Sequence, residues 1–174
     1  MNDGQARYDR VAAGIHWITA VLVISLIILV LGGEGLEKAT GWPTVAMHKS
    51  FGMTVFALTL FRLFWRLGHR PPPLPAETPA LQRLAAGAVH TALYGFLLAM
   101  PLAGYIFGSG GPYPMRYFGL DVPKAPISKP VADFFHEAHE IGGFTLIALL
   151  VVHIGAALWH HFVQRDGLIS RMRV

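Results

Sequence analysis

The chain has 174 residues, of which 53% are hydrophobic and only 14% charged, with a mean hydropathy of +0.48. A soluble domain of this size carries about 25% charged residues, and the apolar residues here cluster in long runs, so a soluble globular fold is excluded. There is no cysteine, which removes disulfides, thiolate zinc sites, cysteine-held iron–sulfur clusters and haem attached through Cys-x-x-Cys-His. The sequence pI of about 9.7 does not indicate nucleic-acid binding, because the basic residues flank apolar runs and form no stripe on a soluble face.

Four spans are expected, at about residues 11–31, 44–65, 84–107 and 134–162, since about 20 apolar residues cross a bilayer. The first run is broken by one ionisable residue, His16. It is too long for a signal peptide, and no clean small-residue cleavage pattern follows it. Residues 32–43 read as a short loop. The second run carries His48 and Lys49 near its start and Arg62 and Arg66 at its end. A proline-rich stretch from Gly68 to Pro79 follows, which cannot be helix. The third run holds His90 in its first third and Pro101 further on, where a bend is expected. Residues 108–133 read as an outer loop rich in proline and aromatics. The fourth run begins with His136, Glu137, His139 and Glu140, has an apolar centre, and ends with His153, His160 and His161. The fold expected is an all-α, integral membrane four-helix bundle forming a single membrane domain over residues 1–174.

Four spans put both termini on one side. That side, with the second loop, holds nine arginines against four acids, and the other side holds five basic residues against six acids. Basic residues stay inside, so the termini are expected in the cytoplasm of a bacterial cell, with the chain in the inner membrane.

Ionisable residues within spans are costly and mark function. His139 and His153 are 14 residues apart, which puts them within about 40° of one helix face and about 21 Å apart along the axis. One helix therefore presents two imidazoles inward, one near each membrane surface. This suits two b haems stacked across the bilayer in the bundle core, each needing a second ligand from another helix. His48 matches His139 in depth near the outer surface. His16 and His90 both match His153 near the inner surface, and periodicity does not choose between them. Two histidine ligands leave no open coordination position, which favours electron transfer over oxygen binding. His136 is turned about 100° from His153 and reads as a supporting or loop-facing residue. His160 lies on the stripe of His153, where it would meet a haem propionate, a quinone or the interface. His161 faces water or headgroups. A histidine-lined metal transporter is a competing reading, but it needs polar groups along span centres that are apolar here.

The ordered set Tyr8-Asp9-Arg10, Gly14-Ile15-His16-Trp17, Met47-His48-Lys49-Ser50-Phe51-Gly52, Arg62 to Arg66, His90 to Tyr94, Met100-Pro101-Leu102-Ala103-Gly104, His139-Glu140 and His153 to His161 resembles the bacterial cytochrome b561 proteins. These are related to membrane cytochrome subunits of some hydrogenases and formate dehydrogenases. The resemblance implies two haem b groups, one on His48 and His139 and one on His16 and His153, leaving His90 for hydrogen bonding or a quinone. It also implies activity like that of a superoxide oxidase, in which superoxide gives up an electron at the outer face and ubiquinone is reduced in the membrane. Lys49, Arg116, Lys124 and Lys129 are then the candidates for attracting the anion. An electron-transfer or anchor subunit, passing electrons between a periplasmic dehydrogenase, hydrogenase or cytochrome and the quinone pool, is the alternative. The expected surroundings are membrane lipid, ubiquinone and a periplasmic electron donor.

Overall fold

The computed structural model describes residues 7–75 and 77–173. Four long helices follow in order: α1 Arg10–Thr40, α2 Thr44–Gly68, α3 Ala80–Gly110 and α4 Lys129–Trp159. Each contains a stretch long and apolar enough to cross a membrane, so this is a multi-pass membrane protein. A hairpin of two-residue strands, β1 Arg116–Tyr117 and β2 Leu120–Asp121, interrupts the α3–α4 connection.

The helices overrun the spans read from hydropathy. A helix of 31 residues is about 46 Å long, against a hydrocarbon core of about 30 Å. Apolarity reports only the part in lipid, whereas backbone hydrogen bonding continues into the interface. Helix ends move as a result. Residues 32–43 are not a loop: α1 continues to Thr40 through a kink at Gly33 (φ 42°, ψ −134°), a backbone region open essentially to glycine, and stops at Gly41 (φ 72°). The outer connection is shorter than residues 108–133, because α3 runs to Gly110 and α4 starts at Lys129 with Pro130 in its first turn. α3 continues through Pro101 as one helix.

Packing is uneven. α1 lies along α2, and α3 along α4, making two helical hairpins that meet mainly through α2 and α3. α4 buries only Ala132 and Gly142. At the terminus side Asp9 caps α1 through Ala12 N–H (2.9 Å) and also accepts from Trp65 Nε1 (3.0 Å), tying α1 to the end of α2. Past Trp159 the last helix widens into one π turn, His160–Gln164, and the tail folds back. Tyr8 N–H donates to the Arg171 carbonyl (3.1 Å), Trp17 Nε1 to the Met172 carbonyl (2.8 Å), and the Arg171 guanidinium to the Pro73 carbonyl (2.8 Å). At the opposite end, Phe118 N–H donates to Ser50 Oγ (3.0 Å), and the hydroxyls of Tyr117 and Thr54 lie 3.3 Å apart. The β-hairpin is thereby pinned over the start of α2.

Candidate functional site

The line between the two helical hairpins is where the histidines meet. His48 on α2 faces His139 on α4 with ring centroids 6.1 Å apart and planes at 81°. Toward the other end, His16 on α1 faces His153 on α4 at 6.3 Å and 74°. With a metal–nitrogen bond of about 2.0 Å and a nitrogen about 1.1 Å from the ring centre, imidazoles on opposite sides of one metal have centroids about 6.2 Å apart. Both pairs have that spacing, and each joins helices from different hairpins. His90 also approaches His153, at 5.4 Å. That is too close for an iron between the rings, and His90 remains exposed.

The backbone around the His48–His139 pair is built for a fixed imidazole. His139 Nδ1 lies 3.0 Å from the Met100 carbonyl. A proton held on Nδ1 by that carbonyl leaves Nε2 as the free donor atom, the usual support of a metal-bound histidine. Gly104 makes room for the ring: a Cβ there would stand 3.1 Å from His139 Cε1. His48 Nδ1 is buried and has the Leu26 backbone as its hydrogen-bonding neighbour. Among the described residues no group of three or more histidine or acidic side chains converges as a metal cage. Pairs, and not cages, are what an iron already held by four porphyrin nitrogens requires.

The other predicted residues fall elsewhere. His160 turns away from His153 and pairs with Asp166 at 2.5 Å, closing the π turn. His136, exposed on α4, packs its ring against Phe107 with centroids 4.4 Å apart and planes tilted by 39°. His161 is exposed beside Phe162. Of the four basic residues at the end away from the termini, Arg116 is paired with Asp121 (3.0 Å) and Lys129 with Asp133 (2.7 Å). Local acids offset those two charges, so they add little to an attractive field. Lys124 donates to the Gly111 and Tyr113 carbonyls, which are neutral, and it lies within electrostatic reach of Lys49. Among the described residues at this end, Lys49 and Lys124 are therefore the basic side chains with no ion pair to an acid.

Sequence reasoning missed the surroundings of His16. Arg62 Nη1 is 3.3 Å from His16 Nδ1, and its guanidinium carbon lies 5.6 Å from the centre of the Tyr94 ring. The signal in the sequence is a basic residue four positions before Arg66 within a helical period, which hydropathy alone marks only as the flank of a span.

A model of the prokaryotic cytochrome b561 family matches residues 7–173. This chain belongs to that family. Cytochrome b561 homolog 2 of Escherichia coli (strain K12) is 35% identical over 95% of this chain and 90% of its own length. Cytochrome b561 homolog 1 of the same strain is 30% identical over 95% of this chain and 96% of its own. A Yersinia pestis protein named probable superoxide oxidase CybB is 28% identical over 95% of both. As a cytochrome b561 family member the chain is a membrane electron-transfer protein, and the family implies haem b. The two histidine pairs fit that group in donor type, spacing and placement between helices.

Proposed function

We propose that this protein is a superoxide oxidase with two haem b groups, taking single electrons from superoxide at the periplasmic face and delivering them to ubiquinone in the inner membrane. The observation that carries the reading is the presence of two histidine pairs at iron-spanning distance, one toward each end of the bundle. The relative named as a superoxide oxidase supports the choice of donor. His48 with His139 hold the outer haem, and His16 with His153 the inner one. Haem b, when bound, supplies reversible one-electron chemistry, which allows a one-electron donor to be coupled to a two-electron acceptor. Two superoxide anions each lose an electron to become dioxygen, and one ubiquinone gains two electrons and two protons to become ubiquinol.

The chain's own residues set the conditions. His48 with His139 and His16 with His153 would hold the two haems, and histidine ligands on both sides would leave no position for dioxygen. The Met100 carbonyl orients His139, and the hairpin pinned to Ser50 and Thr54 covers the start of α2. Lys49 and Lys124 supply the local positive potential that raises the encounter rate of a small anion. Both termini are placed in the cytoplasm by the arginine bias of their side.

The test is reduction of ubiquinone by the purified protein supplied with superoxide and no other protein. One quinol is expected for every two superoxide anions consumed. Changing Lys49 and Lys124 together to Gln should slow the reaction several-fold at low ionic strength and by much less near 0.5 M salt, where the Debye length is only about 4 Å. Lys129→Gln, which removes a charge already offset by Asp133, should change little. Equal rates for all variants at low salt would reject steering by this pair.

A specific feature favours a second reading. Tyr113, Phe118 and Leu120 project from the outer connection, 73%, 59% and 70% exposed. Such a patch suits a docked periplasmic dehydrogenase or cytochrome, for which this chain would be the membrane electron-transfer subunit. Failure of the isolated protein to accept electrons from superoxide, with activity restored by a periplasmic partner, would select it.

A further inference from the structure

Arg62 sits in a membrane-spanning helix, half-buried, beside His16. It also lies within electrostatic reach of His90 and His153. One helical turn later Arg66 packs its guanidinium 5.5 Å from the centre of the same Tyr94 ring and donates to the Tyr94 hydroxyl at 3.3 Å. Ion pairs among the described residues include Lys38–Glu34, Arg116–Asp121, Lys129–Asp133 and His160–Asp166. None of them involves Arg62 or Arg66. Asp9, which also reaches the end of α2, spends its carboxylate on Ala12 N–H and Trp65 Nε1. A guanidinium within the span is costly unless a negative group answers it, and among the described residues no carboxylate does. Its planar fork matches a carboxylate better than any other common partner.

The contact with His16 strengthens the case. A ring nitrogen that accepts from a guanidinium carries no proton, whereas a histidine that binds iron through Nε2 keeps its proton on Nδ1. The Arg62–His16 bond and metal binding by His16 Nε2 therefore compete. A carboxylate that draws Arg62 to itself removes the competition and lets Nδ1 hold its proton.

We propose that Arg62, backed by Arg66 and positioned by the face of Tyr94, is a carboxylate site for the propionate groups of the porphyrin held by His16 and His153. This rests on the di-haem reading above. The same arginines face the terminus side, where the phosphate of a lipid headgroup offers comparable anionic oxygens, and the experiment separates the two.

Membranes carrying the full chain with His139→Ala, which leaves the inner pair alone, are prepared from haem-deficient cells. They are titrated with haem b and with its dimethyl ester, in which both carboxylates are blocked. The ester should bind at least about tenfold more weakly, the loss expected when a charged hydrogen bond is removed. Adding Arg62→Gln should abolish most of this preference by weakening haem b and sparing the ester, and Arg62→Lys should keep part of it. Equal affinity for haem b and ester in the Arg62 protein overturns the proposal and assigns the arginines to lipid phosphate. That comparison stands even if Arg62→Gln fails to accumulate. A preference that survives Arg62→Gln and Arg66→Gln together also overturns it, while leaving the di-haem reading intact. No binding of either porphyrin by the His139→Ala chain or by the unmodified chain overturns both.

Discussion

Replacing His139 with alanine is expected to lower the haem content from two per chain to one and to leave the remaining haem with an ordinary low-spin spectrum. The reason is geometric. His139 and His48 face each other at 6.1 Å and share no partner with His16 and His153, which face each other at 6.3 Å. Only α4 carries a member of both pairs, and its 14 residues between them correspond to about 21 Å. His48→Ala should therefore give the same product as His139→Ala, and His153→Ala the complementary one. Pyridine haemochrome assay gives the number lost, and reduced-minus-oxidised spectra show which haem remains. His90 supplies the internal control: its 5.4 Å approach to His153 leaves no room for an iron between the rings, so His90→Ala should retain both haems. Should His16→Ala keep two low-spin haems and His90→Ala lose one, the inner ligand is His90 and the assignment made here is wrong.

That ambiguity shows where reading the sequence stops. The 14-residue interval on the fourth helix is enough to put His139 and His153 on one stripe, because helical periodicity is a property of one helix. Which of His16 and His90 meets that stripe depends on how four helices are arranged, and no interval within a chain encodes it. Span existence was legible from the apolar runs. Helix ends were not, since hydrogen bonding carries α1 to Thr40 through Gly33 in a segment too polar to register as a span. The pairing of Lys129 with Asp133 was legible in principle as an i, i+4 couple. That of Arg116 with Asp121 was not, since it needs the β-hairpin to bring the two opposite one another. Arg62 lies near the end of an apolar run and reads from sequence as a boundary marker, because its neighbours His16 and Tyr94 come from other helices.

Gly104 offers a finer test of the outer site than removing a ligand, and the expected effect is still large. Its Cα lies under the His139 ring so closely that a methyl group would stand 3.1 Å from Cε1 and 3.3 Å from Nδ1. The neighbour that would have to yield is a ring anchored by the 3.0 Å contact from Nδ1 to the Met100 carbonyl. A shift of a few tenths of an ångström there moves Nε2 off its line toward His48. Disturbing the group that orients a metal-bound histidine typically costs about 10–100-fold in affinity. Gly104→Ala should thus weaken haem at the His48–His139 pair by that order and leave the His16–His153 pair unchanged, as read by haem titration into membranes. Gly142→Ala is the matched comparison. Its added methyl would meet the Met100 thioether and approach Phe96, and methionine, with three rotatable bonds, turns aside at small cost. The milder effect should therefore fall on Gly142 although it is the more buried of the two glycines. If Gly142→Ala proved the more damaging, helix packing and not imidazole orientation would govern haem binding at the outer pair.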